Sequence, residues 1–71
     1  MRYIKDNHEP GINLRRAREN AGLAQSSASS AIGLNRSCLA YYELGRSTPT
    51  IFPLIKLSKI YNVNFLDLIV I

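Results

Sequence analysis

The stretch "AQSSASSAIG", Ala24 to Gly33, decides how this chain is read. Four of its ten residues are Ser and none is charged. Ser-rich runs usually mark flexible links. On that reading the flanks, "AGL" before it and "GLNRSCLAYYELGR" after it, belong to separate parts. A second reading fits the spacing better. Gln25, Ala28, Ser29 and Ile32 fall on one side of a helix, and Gly33 follows where such a helix would end. The run is then a weak helix inside one folded unit.

Size and composition support one unit. Seventy-one residues make a single small domain. Such a chain buries only about 60% of its unfolded surface, and the per-residue rule gives a stability of roughly 4–10 kcal/mol. The hydrophobic fraction of 46% is that of a globular protein. No apolar run reaches membrane-spanning length, and "MRYIKDNHEPG" lacks the apolar core of a signal peptide. One Cys and one His permit neither an internal disulfide nor a structural zinc site. We expect a cytoplasmic protein held together by packing, with no metal and no cofactor. The net charge of +4 and pI of 9.6 favour an anionic partner.

Glycines stand at 11, 22, 33 and 45, with helix-compatible segments between them. They read as helix ends in the left-handed conformation that Gly adopts cheaply. The similarity of "AGLAQ" and "IGLNR" reads as two alike helix-to-helix turns. The spacing predicts five helices. The first covers about Ile12–Ala21, with Leu14, Ala17 and Ala21 inward. The second is Gln25–Ile32. The third is about Arg36–Leu44, with Asn35 as its N-cap. The fourth is about Ile51–Tyr61, with Pro53 in its first turn and Leu54, Leu57 and Tyr61 inward. Asn62 fits a stop, and Asn64 caps a short last helix, Phe65–Ile69. Only "LIVI" at the C-terminus also suits a strand. Loops of two to six residues complete an all-α five-helix bundle, residues 11–71, behind an N-terminal arm, residues 1–10.

Gln25 to Leu44 meets the requirements of a helix-turn-helix. Two helices crossing near perpendicular need a small residue at the crossing, Gly at the turn and apolar points on both. Ser29 is the small residue and Gly33 the turn. Ala28, Ile32, Leu34, Leu39 and Tyr42 are the apolar points. Arg36, Ser37, Ala40, Tyr41 and Leu44 then share the remaining face of the third helix.

Taken together, "LRRARENAGLAQ", "IGLNRSCLAYYELGRSTP" and "LIKLSKIYNVNFLDL" resemble the DNA-binding domain of the phage-repressor and Cro type, the XRE family. The resemblance covers about Ile12–Leu68. It rests on "GLxQ", Gly33, "E-x-G-R" with Pro49 close behind, and the closing "V-N-x-L-D-L". It implies a lambda-repressor-like fold and a sequence-specific, double-stranded DNA-binding transcriptional regulator, a repressor or an antitoxin-type autoregulator. It implies that Gln25, Arg46 and Ser47 hold DNA phosphates. It places Asn35, Arg36, Ser37 and Tyr41 toward base edges in the major groove, with Arg36 matching guanine O6 and N7. Arg18 and Glu43 match a structural ion pair between the first and third helices. The partners it implies are duplex DNA, a second copy on a two-fold operator, and a protein such as a toxin or anti-repressor. No membrane partner and no catalytic residue is expected: the chain has no paired-carboxylate cleft, no Cys–His neighbourhood and no phosphate-cradling Gly loop.

The chain departs from the family pattern at Ala24, where Ser or Thr usually caps the second helix, at Ala28, where a larger aliphatic is common, and at Ser29, where Ala is usual. The losses fall on the second helix: about 1 kcal/mol for the cap and roughly 2 kcal/mol for four Ser in place of Ala. Elsewhere the plainer readings stand. Arg15 and Arg16 are solvated surface, Cys38 is an unreactive thiol and His8 a tail residue. The arm, with Arg2 and Lys5, is a tail rather than a minor-groove anchor. The apolar C-terminus, Phe65 to Ile71, closes the core in part, and the remainder is either a dimer seam or a junction with a longer chain. The rival to DNA binding is a protein-interaction module on the same helical fold.

Overall fold

A computed structural model describes the backbone of residues 9–69 and the side chains of residues 11–68. Five helices follow in order: α1 (Glu9–Asn20), α2 (Gln25–Ala31), α3 (Arg36–Leu44), α4 (Ile51–Tyr61) and α5 (Phe65–Ile69). Among the described residues there is no strand, so the C-terminal apolar run is helical as far as Ile69. The arm residues Arg2, Lys5 and His8, and Val70 and Ile71 at the other end, lie outside the described residues.

Four helices end in the same way. The amide of the residue at the turn donates three residues back, and the next amide donates five residues back. Gly22 and Leu23 do this to Glu19 and Arg18, Gly33 and Leu34 to Ser30 and Ser29, Gly45 and Arg46 to Tyr42 and Tyr41, and Asn62 and Val63 to Lys59 and Ser58. This is the Schellman closure, and it needs positive φ at its turn residue. Gly22, Gly33 and Gly45 supply φ of 75°, 77° and 79°, and Asn62 supplies 58°. The likeness of "AGLAQ" to "IGLNR" is therefore a shared hydrogen-bonded turn.

Gly11 does not follow this pattern. It lies inside α1, which begins at Glu9, so Glu9 and Pro10 belong to the helix and not to an arm. Pro is tolerated in a first turn because its missing N–H would have had no intrahelical partner. Gly11 is needed for room. A Cβ built there would stand 2.6 Å from the Tyr42 carbonyl oxygen and 2.7 Å from that of Glu43. The backbone of α1 thus presses directly on the end of α3.

Every helix contributes to one core: Leu14 and Ala17 from α1, Ala28 from α2, Leu39 from α3, Leu54, Leu57 and Tyr61 from α4, and Leu68 from α5. Leu23, Ile32, Tyr42, Ile60, Val63 and Phe65 pack around it. α1 packs most extensively against α3 and α5, and α2 against α3. Ala21, expected inward, is exposed, because α1 stops at Asn20 and the Gly22 turn carries Ala21 out of register. α2 ends at Ala31 rather than Ile32, which takes the C-cap position.

α2 is the weakest element by its own chemistry. Ala24 at its N-cap makes no side-chain hydrogen bond, and no charged residue lies in its first or last turn. An isolated helix of seven residues is not stable in water. Burial of Ala28 and Ser29 and packing on α3 hold it. The Ser29 hydroxyl donates to the Ser26 carbonyl, 3.2 Å away, so its polar group is satisfied inside its own helix.

Candidate nucleic-acid interface

α2 and α3 pack against each other across the Gly33 turn, as the sequence predicts for a helix-turn-helix. Ser29, 2% exposed, is the small buried residue, and Gly33 makes the turn. Leu39 and Glu43 turn inward on α3. The opposite side is left to solvent: Arg36, Ser37, Tyr41 and Leu44 are exposed, and Ala40 is half-buried. The expected reading residues thus sit on one open face, with Asn35 at its leading end.

Asn35 occupies the N-cap position, φ −73° and ψ 149°, but its side chain makes no capping hydrogen bond. Its carbonyl accepts the first hydrogen bonds of the helix, from the amides of Cys38 and Leu39 at 3.1 and 3.3 Å. Asn35 therefore takes the expected N-cap position, without a side-chain bond. At α5 the corresponding expectation holds, since Asn64 Oδ1 accepts from the Leu66 amide at 3.0 Å.

The inner side of α3 is anchored by charge. Arg18 Nε donates to Glu43 Oε2 at 2.7 Å, and its Nη2 to Oε1 at 3.1 Å. Its Nη1 donates to the Leu23 carbonyl at 2.7 Å. The side chains are 11% and 3% exposed, so this fork-on-fork pair is largely removed from water. Its hydrogen bonds to Glu43 hold the Arg18 guanidinium above its ordinary pKa, against the opposing effect of burial.

Gln25 joins the same group. Its Nε2 donates to Glu43 Oε1 at 3.0 Å, tying the start of α2 to the end of α3. The carboxamide expected at a DNA phosphate is half-buried, and one of its hydrogens is engaged by Glu43. Both Gln25 and the Leu23 carbonyl come from the "GLxQ" stretch, which the resemblance singled out without indicating that it converges on Glu43. Tyr61 also lies in this field. Burial pushes its hydroxyl up to about 12, with Glu43 adding to the shift and Arg18 opposing it.

Beyond α3, Arg46 and Ser47 are exposed. The Arg46 guanidinium carbon lies over the Tyr41 ring, 6.0 Å from its centroid. Cys38 is half-buried, and its interaction with Tyr42, together with burial, raises the Tyr42 pKa. Its thiol therefore belongs to the packed side of α3. On α1, Arg15 pairs with Glu19 at 3.1 Å in full view of solvent, and Arg16 is exposed. An exposed pair of this kind contributes about 0.3–0.5 kcal/mol.

Among the described residues no helix is long and apolar enough to cross a membrane. No curated protein matches the chain. Its fold is similar to the crystal structure of the restriction-modification controller protein C.AhdI from Aeromonas hydrophila, with a TM-score of 0.83 and 26% identity over 90% of this chain and 97% of that one. A family model for helix-turn-helix proteins matches residues 14–68, from the first core residue of α1 to the last of α5. The chain belongs to the helix-turn-helix family of XRE type.

Proposed function

We propose that this helix-turn-helix regulator reads duplex DNA by seating the open face of α3 in the major groove. The observation that carries the reading is the division of α3 into two sides. Leu39 and Glu43 fix it from within, and Arg36, Ser37 and Tyr41 stand clear beside the unbonded Asn35 amide. Arg36 supplies the base readout, and its fork suits guanine. Arg46 and Ser47, just past the helix, hold the backbone. Gln25 gives one amide hydrogen to Glu43. Its second is the donor for phosphate, beside the first-turn amides of α2.

Nine residues of α3 span about 14 Å, some four base pairs, which is too short a word to be rare in a genome. A second copy on a two-fold operator doubles it. Exposed apolar side chains at the start of α4 (Ile51 and Phe52, 54% and 72% exposed) and on α5 (Leu66, 54%) supply material for a seam. Repression by occupancy requires nothing beyond operator binding, and that is the sign we assign. Likeness to a restriction-modification controller protein supports a regulatory role.

Binding to duplex DNA across a salt series tests the reading. Affinity is expected to fall steeply as salt rises, because each phosphate contact releases counterions. Absence of binding at low salt overturns it in favour of a protein-interaction module. Selection of bound sites from random DNA then gives the operator, and two half-sites about 34 Å apart are expected.

A further inference from the structure

Among the described residues four helices share one closure, and in three of them the residue after the turn is apolar: Leu23, Leu34 and Val63. An apolar contact between that residue and the last turn of the helix usually accompanies the motif. At the end of α3 the residue is Arg46. The geometry is otherwise the same. The Gly45 amide donates to the Tyr42 carbonyl at 3.2 Å, and the Arg46 amide to the Tyr41 carbonyl at 2.9 Å. The closure brings Arg46 back over the residue five places earlier, and there its guanidinium meets the Tyr41 ring. The place of the apolar contact is taken by a cation on an aromatic face. Among the described residues no carboxylate pairs with Arg46; the two ion pairs are Arg15–Glu19 and Arg18–Glu43.

We propose that Tyr41 is a positioning residue for Arg46. Its ring holds the guanidinium at the end of the recognition helix, with the N–H groups free to grip a DNA phosphate in the fork geometry. Tyr41 then strengthens binding on all sequences through Arg46, although it stands on the base-reading face. The proposal rests on the assignment of Arg46 to the DNA backbone. Its physical basis is preorganisation: an Arg already held near its bound conformation loses less freedom when the phosphate arrives.

The test uses the full chain and a panel of duplexes of about 20 base pairs, two turns of B-DNA, differing in sequence. Tyr41→Phe keeps the ring and is expected to bind within about twofold of the parent. Tyr41→Ala is expected to weaken every duplex alike, by roughly 5–10-fold, and to lower the salt slope by up to about one, as Arg46→Ala does. Combining Tyr41→Ala with Arg46→Ala is expected to add less than about twofold to Arg46→Ala alone, since the two act as one unit. Without DNA, the Arg46 side-chain NMR signals are expected upfield of their positions in Tyr41→Ala. The proposal is overturned if Tyr41→Ala reorders preference among the duplexes, if the two losses multiply, or if the Arg46 signals are unchanged by Tyr41→Ala. A parent chain that binds no duplex at low salt overturns the DNA reading itself, and the proposal with it.

Discussion

Arg18 grips both carboxylate oxygens of Glu43 across 25 positions of sequence, and the same carboxylate receives Gln25. One side chain at the end of α3 thereby holds α1 and the start of α2, while Arg18 also holds the Leu23 carbonyl in the turn between them. The recognition helix is aimed by a buried charge as well as by its apolar packing.

Removing Arg18 strands that charge. Arg18→Ala is expected to destabilise the chain by about 3–5 kcal/mol, much of the stability of a domain this size. Combining it with Glu43→Ala is expected to cost less than the sum of the two single losses, because the stranded charge is gone. Urea denaturation of the three variants measures this. An unchanged midpoint for Arg18→Ala would show that the pair does not hold the fold.

Gly11→Ala separates two roles for glycine. In an exposed helix the substitution gains up to about 1 kcal/mol. Here the new Cβ meets the Tyr42 and Glu43 carbonyl oxygens, and α1 must move off α3. The expected outcome is a net loss of about 1–3 kcal/mol, the usual range for overpacking. A stabilised variant on thermal melting would refute the close crossing.

Ala24→Ser restores a missing cap. The position already has the extended backbone of an N-cap, φ −79° and ψ 160°, and makes no side-chain hydrogen bond. The variant is expected to gain about 1 kcal/mol, which for a domain of this size raises Tm by about 4–8 °C. A Tm at or below that of the parent would mean that the first amides of α2 do not accept a cap in this setting.

Tyr61 gives a pH dependence with a definite sign. Its hydroxyl titrates at about 12 in the fold, against 10.0 ordinarily. The folded state holds the proton longer than the unfolded state. The resulting stability is complete below about pH 10 and is lost as pH rises toward about 12, a loss of roughly 2–3 kcal/mol. Among the described residues no protein group bonds to this buried hydroxyl. Tyr61→Phe is therefore expected to change stability by less than about 1 kcal/mol at neutral pH. It is also expected to flatten the alkaline loss. Denaturation curves of both proteins at about pH 8 and about pH 11.5 decide it, and parallel losses in both would assign the effect to another group.

The parts of this fold legible in the sequence are those fixed by local stereochemistry. Gly22, Gly33, Gly45 and Asn62 mark helix ends because positive φ is a property of the residue itself. The limits of α3, α4 and α5 follow from those stops and from apolar spacing. Arg36 and Tyr41 on the open face follow from helical period once Leu39 is placed inside. What stayed hidden depends on distant partners. Gly11 looks like a stop until the carbonyls of Tyr42 and Glu43 are seen against it. Gln25 looks free until Glu43 arrives from another helix. Asn35 is the N-cap that its type suggests, but whether its side chain bonds there is decided by its surroundings.

The Ser-rich α2 has a consequence for the order of events. With no side-chain cap at its start and no charges in its end turns, its backbone hydrogen bonds survive only while α3 and the core are in place. Amide hydrogen exchange is expected to be fastest here among the first four helices, through local opening that leaves α3 and α4 intact. DNA seated against the first turn of α2 would close that opening and slow its exchange. Part of the binding free energy is then spent ordering seven residues, and a better helix former at an outward Ser would tighten the grip on DNA without touching a base.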